Sequence, residues 1–204
     1  MTSATAKGAL GTGGNEAVNE GLVNMTAATM HIPRAMAALA LAGAMMAAGI
    51  APAQDTTNRV ATETDWSAFA EGSPQECWAV SAPKETVNTR DGQVVAVNRG
   101  DILLFVTYRQ GNSPGEVSFT GGYPFAEGSN AELVIGDDSF SLFTEGEWAW
   151  SANAEEDARI IAAMRAGVDA VITARSTRGT TTRDTFSLLG FTAMSQAAAD
   201  ACAG

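Results

Sequence analysis

Between Arg175 and Phe191 the chain reads RSTRGTTTRDTFSLLGF, three arginines and a string of hydroxyls followed abruptly by apolar residues. Guanidinium groups at that density can clamp a carboxylate or a phosphate bidentately, so the stretch raises the question of an anion-binding loop. Strand alternation offers a different answer. Phe186 and Leu188 fall on one face, with Asp184 and Thr182 continuing it outward, and Arg183, Thr185 and Ser187 fall on the other. Preceded by VDAVITAR, the STRG segment reads as a hairpin turn in which Gly179 supplies a positive φ. The hairpin is the preferred reading. An exposed anion or partner contact through Arg175, Arg178 and Arg183 is the alternative.

Other reactive groups are few. The one histidine is His31, inside a segment that reads as a cleaved leader. Its loss removes the usual general base, any Ser-His-Asp or Cys-His arrangement and the commonest zinc ligand. Lys84 is then the sole lysine. Glu145 and Glu147 are two apart, hence on one face of a strand there, and two acids can work as acid and base on a glycoside. Surface acids are the preferred reading in so acidic a chain. Asp137-Asp138 reads as a turn and has no D-x-D-x-D-G spacing around it for calcium. FTGGYPFAEG has no Lys-Ser/Thr opening a helix, so it is not a phosphate loop. The expectation is no catalytic residue, no metal ligand and no cofactor. Of the four tryptophans, Trp148 and Trp150 share a strand face and could form a carbohydrate platform, with core or edge packing preferred.

The chain that must position these groups has 204 residues and a formal charge of −11, from 12 basic and 23 acidic residues. A surface of that sign repels phosphate backbones, which excludes nucleic acid as an expected partner, and disfavours anionic lipid. Residues 30–53 have a short basic start at Arg34, run uncharged from Ala35 to Ala53 and close on Ala51-Pro52-Ala53. That is the layout of a secretory signal peptide cut before Gln54. A retained anchor is the alternative, but the run is mostly Ala and Gly and inserts weakly. Residues 1–29 read as a misassigned start or a disordered extension, and 54–73 as a linker. The domain is expected over 74–204, with no membrane span after cleavage and residence in the periplasm or outside the cell. Two cysteines in an exported chain, Cys77 and Cys202, predict a disulfide, with two free thiols as the alternative.

Within the domain, short β-type runs alternate with turn residues. ECWAVSA, the two runs of QVVAVNRGDILLFVTYRQG split at Asn98-Arg99-Gly100-Asp101, and GEVSFTGGYPF read as strands. AELVIGDDSFSLFTEGEWAW reads as a hairpin around Gly136-Asp137-Asp138 followed by a third short strand. Residues 151–167 predict a helix capped by Asn153, with Ile160, Ile161 and Met164 as its apolar stripe and Gly167 as its stop. FTAMSQAAADAC could form a second short helix. This order of elements predicts a mainly β fold, an antiparallel immunoglobulin-like β-sandwich with one clear helix.

ECWAV, EVSFTGGYPF, EDARIIAAMRAG, then S-x-R-G-T-T-T-x-D-T-F-S-L-L-G-F-T-A and a near-terminal cysteine together resemble the invasion-associated locus B family of exported bacterial proteins. The resemblance spans roughly 75 to 203. It implies an immunoglobulin-like sandwich, periplasmic or outer-envelope residence, no established catalytic activity and a link with host-cell invasion. Many members carry a further cysteine pair near the domain start, where this chain has only Cys77. The expected function is therefore that of a non-catalytic envelope accessory or interaction module, its partner an envelope protein or glycan. The alternatives are a small-molecule or glycan binder using Trp148 and Trp150, and then a carboxylate-dependent glycan enzyme.

Overall fold

The computed structural model describes residues 58–203 except 74, 112 and 113. The signal peptide and the N-terminal extension expected at 1–53 lie outside the described residues. Twelve strands follow one another: β1 Arg59–Glu63, β2 Trp66–Glu71, β3 Glu76–Ser81, β4 Glu85–Arg90, β5 Gln93–Val94 and β6 Leu103–Arg109. They continue as β7 Glu116–Thr120, β8 Asn130–Ile135, β9 Asp138–Glu145, β10 Trp148–Trp150, β11 Asp169–Arg175 and β12 Thr181–Ser187. Helix α1, Ala154–Ala166, separates β10 from β11, and α2, Phe191–Ala201, closes the chain.

All strand pairs are antiparallel, in the order β1-β2-β3-β6-β7-β10-β9-β8-β11-β12-β4-β5. The sheet turns back on itself to make a sandwich-like fold. Phe119 of β7 meets Phe186 of β12 edge-on, ring centroids 6.1 Å apart, although these strands are not neighbours. The indole N–H of Trp66 on β2 likewise donates to the carbonyl of Ser187 at the end of β12, 2.8 Å away. Alternation supplies the buried face: Leu104 and Val106 on β6, Leu133 on β8, Leu142 on β9 and Ile172 on β11 are all fully buried.

The helix at 154–166 is as the sequence predicts. The Asn153 side chain accepts from the Glu156 backbone N–H at 3.0 Å, and Ile160, Ile161 and Met164 are buried. Gly167 stands at its C-terminal end, as the sequence predicts. Its φ of −84° is ordinary, but a Cβ there would lie 2.6 Å from Ile135 Cγ2. Contact, not left-handed backbone, requires glycine.

Three readings need correction. The expected linker at 54–73 carries β1 and β2, and its Trp66 is a buried core residue stacked edge-on against Phe191 at 4.9 Å. The polar residues between the aromatics had hidden a half-buried strand pair. Of the run QVVAV, only Gln93–Val94 is strand. The rest crosses the molecule as a loop, anchored by a backbone bond from Gly100 N–H to Gly122 O at 2.8 Å. Finally, Thr182 and Asp184 do not continue outward: both are buried, Asp184 completely.

Candidate functional site

The buried carboxylate of Asp184 organises one end of the molecule. It receives two N–H groups of Arg99, at 2.7 and 2.6 Å, in a bidentate pair. The Arg99 side chain is 5% exposed and Asp184 not at all, so each charge depends on the other for the solvation it has lost. The remaining donors of Arg99 reach Gly121 O at 2.8 Å and Asn88 Oδ1 at 3.3 Å, and its guanidinium lies over the Tyr123 ring, 5.0 Å from the centroid. The Tyr123 hydroxyl shares a 2.6 Å hydrogen bond with Thr182 Oγ1. Burial pushes the Tyr123 phenol up, against the opposing pull of the Thr182 bond and of Arg99, while Asp184 adds to the rise.

Two glycines make this arrangement possible. Gly122 has φ +69°, and a Cβ on it would lie 2.6 Å from the Gly100 backbone. The loop holding Arg99 therefore rests directly on the Gly121-Gly122 turn, and the Gly-Gly of FTGGYPF is a crossing point of two backbones. In front of the pair opens a cleft of about 520 Å³, whose charged and polar lining includes Arg90, Asn98, Arg99, Tyr123, Glu147 and Arg178.

The second feature is a row of rings on the outer face of the sheet. Phe105 of β6 lies 5.7 Å from Trp148, Trp148 stacks on Trp150 at 6.3 Å and 21°, and Trp150 stacks on Phe143 of β9 at 5.5 Å and 28°. Trp148 and Trp150 thus share a face as their spacing predicts. That face is the solvent side and not the core, however, and β10 is flanked by β7 and β9 and so is not an edge strand. Trp148 remains 40% and Phe143 47% exposed. Charged groups border the row: Arg109 is ion-paired to Glu76 and Glu116, each at 3.1 Å.

The hairpin reading of 175–191 holds. β11 pairs with β12 from Asp169↔Ser187 to Arg175↔Thr181, and Gly179 in the turn has φ +77°. Arg175, Arg178 and Arg183 are all exposed and make no ion pair among the described residues. They are not one cluster. Arg178 borders the cleft, while Arg175 and Arg183 fall opposite the buried residues of their strands.

Glu145 and Glu147 line different grooves. A turn at Gly146 lies between β9 and β10, so Glu147 borders the cleft and Glu145 a separate groove beside Trp150. The expectation of one shared face fails because the strand ends at Glu145. Asp137 and Asp138 sit at the β8–β9 turn, and no metal-holding group of His, Cys, Asp and Glu occurs among the described residues. Cys77 and Cys202 form a disulfide with Cα atoms 5.9 Å apart, which ties α2 to β3. No helix among the described residues is long and apolar enough to cross a membrane.

Asp157 is the other buried acid among the described residues, on the first turn of α1. Its carboxylate accepts the Val117 backbone N–H at 2.8 Å, fixing the helix to β7. Burial pushes its carboxyl above the ordinary range, opposed by the bonds from Val117 and Ser151.

No family model and no curated protein matches the chain. Among solved structures it is similar to the crystal structure of invasion associated protein b from Bartonella henselae, at 16% identity. The alignment covers 67% of this chain and 92% of that one, with a TM-score of 0.46. Likeness at that level assigns no residue a role.

Sequence reasoning missed Arg99, Tyr123 and Asp184. One signal was available: Asp184 sits on the same strand face as Phe186, so its charge had to be either solvated or paired.

Proposed function

We propose that the protein is an exported, non-catalytic binding module of the cell envelope, and that it meets a protein partner through the row Phe105, Trp148, Trp150 and Phe143. The observation that carries this reading is the exposure of stacked aromatic rings on a solvent-facing sheet, bordered by the Arg109, Glu76 and Glu116 charges. An aromatic centre with a polar rim is the usual anatomy of a protein interface, where aromatic residues hold much of the binding energy. A sugar ligand would need free ring faces. Here the rings stack on one another, which favours a partner that packs against the whole row.

Export is supported by the signal-like segment at 30–53 and by the disulfide, which persists in oxidising compartments. The resemblance of the sequence motifs to the invasion-associated locus B family points to the same compartment. The non-catalytic reading follows from the absence of histidine beyond His31, the bonded cysteines and the separation of Glu145 from Glu147.

Phe143→Ser combined with Trp148→Ser tests the interface. Both side chains are exposed, so the fold should survive. Envelope extracts from cells carrying parent or variant are compared by size-exclusion chromatography. The parent should elute in an assembly larger than its own mass and the variant as the free chain. Elution of both as the free chain would count against the proposal.

A further inference from the structure

We infer that the cleft in front of Arg99 is a binding site for a small oxyanion-bearing molecule, held by Arg90 and Arg178. The argument begins with charge. The chain is strongly acidic, with 12 basic against 23 acidic residues. Yet three arginines line this one cleft, and Glu147 is the sole acid among its lining residues. Arg99 does not account for the excess, because its charge is matched by Asp184 behind it. Arg90 and Arg178 are exposed and have no ion-pair partner among the described residues. Two guanidiniums with unspent charge therefore border one half-open cleft.

The site is also preformed. One nitrogen of Arg90 donates to the buried Thr180 Oγ1 at 2.7 Å, which fixes that guanidinium against the β11–β12 turn. The turn is itself tied back to the GGYP segment by Thr177 N–H to Pro124 O at 3.0 Å, and closed internally by Thr180 N–H to Ser176 Oγ at 3.1 Å. Arg99 and Tyr123 form the floor, Arg99 held by Asp184 and the Gly121 carbonyl and Tyr123 by Thr182. A ligand therefore meets the Arg90 guanidinium and the floor already in place and has the exposed Arg178 side chain left to order, which lowers the ordering cost of binding. The cleft volume of about 520 Å³ lies within the roughly 300–1,000 Å³ range of small-molecule sites. Arginine forks match the geometry of both carboxylate and phosphate, so the shared chemistry is a planar or tetrahedral oxyanion. Hydroxyls beside it on the ligand would find Asn98 and Thr177 on the rim. This site lies apart from the aromatic row, so its fate and that of the proposed interface are decided separately.

Isothermal titration calorimetry at fixed ionic strength, with inorganic phosphate, glucuronate and glucose as probes, tests the assignment on the purified protein. Phosphate or glucuronate, or both, should bind saturably with one-to-one stoichiometry, and glucose should not. Binding of phosphate alone or of glucuronate alone identifies the source of the oxyanion. Arg90→Gln and Arg178→Gln should each weaken the anion at least about tenfold, the cost of a charged hydrogen bond. Arg165→Gln makes the same charge change on α1, outside the cleft lining, and should leave affinity unchanged. Thermal midpoints of the variants confirm that each is folded. Four results would overturn the inference: no saturable anion binding, glucose binding as tightly as glucuronate, equal affinity in parent and in the two cleft variants, or an equal loss in Arg165→Gln.

Discussion

Asp184→Asn is the substitution whose consequence the structure states most sharply. It removes a charge but little volume, and leaves the Arg99 cation in a site where its side chain is 5% exposed. The two hydrogen bonds of 2.6 and 2.7 Å place the charge centres roughly 4 Å apart, and at an effective dielectric of about 20 that pair is worth about 4 kcal/mol. Removal of one partner from a buried pair costs about 3–5 kcal/mol, in agreement. Urea unfolding followed by tryptophan fluorescence is the assay. With a denaturant slope of about 2 kcal/mol per molar, the midpoint should fall by about 2 M. The paired replacement Arg99→Met with Asp184→Leu leaves no charge unmatched and should recover part of that loss. A single variant within about 1 kcal/mol of the parent would refute the reasoning, because the pair would then be solvated in a way the burial denies.

Three further outcomes follow from other sites. Removing the disulfide by Cys77→Ala with Cys202→Ala should cost about 2–5 kcal/mol, since it closes a separation of 125 residues; thermal unfolding of the parent with and without reductant should show the same loss. Gly122→Ala should destabilise by about 1–3 kcal/mol, since it puts a Cβ against the Gly100 backbone at a positive φ; a neutral result by urea unfolding would mean the two loops do not cross there. The raised Asp157 carboxyl means that the folded state holds this proton more tightly than the unfolded state. Its contribution is thus greatest below the unfolded value and is lost as pH rises through the folded one. Relative to Asp157→Asn, the parent should gain stability on acidification from pH about 7 to about 4; a relative loss by urea unfolding at each pH would contradict the assignment.

Much of this architecture is legible in the residues. The Asn153 cap, the acidic first turn and the Ile160, Ile161, Met164 stripe mark α1, because caps and helical periodicity are local signals. The Gly136-Asp137 and Gly179 turns are legible for the same reason. β1 and β2 were not, because their inward face is one tryptophan, Trp66, with the small Ala61, Ala68 and Ala70, and is covered by α2 from the far end of the chain. The site was harder still. Arg99 and Asp184 are 85 residues apart, and their pairing depends on a loop crossing that only the folded sheet creates. The place of Asp184 on the Phe186 face signals that it is solvated or paired, but nothing local names Arg99 as the partner. Glu145 and Glu147 show the converse error: two residues that spacing places together are separated by a turn.

The most direct test of the proposed interface is photocrosslinking from Trp148 in intact cells. A photoreactive amino acid replaces Trp148 in one strain and Val94 in another. Val94 serves as the control because it is 77% exposed on β5, the opposite end of the strand order from the centre where β10 lies. After irradiation the protein is recovered from the envelope and its adducts are sized and identified. A discrete adduct to one envelope protein from position 148, absent from position 94 and abolished by Phe143→Ser, is the predicted result. No adduct from position 148, or the same adducts from both positions, would contradict the account.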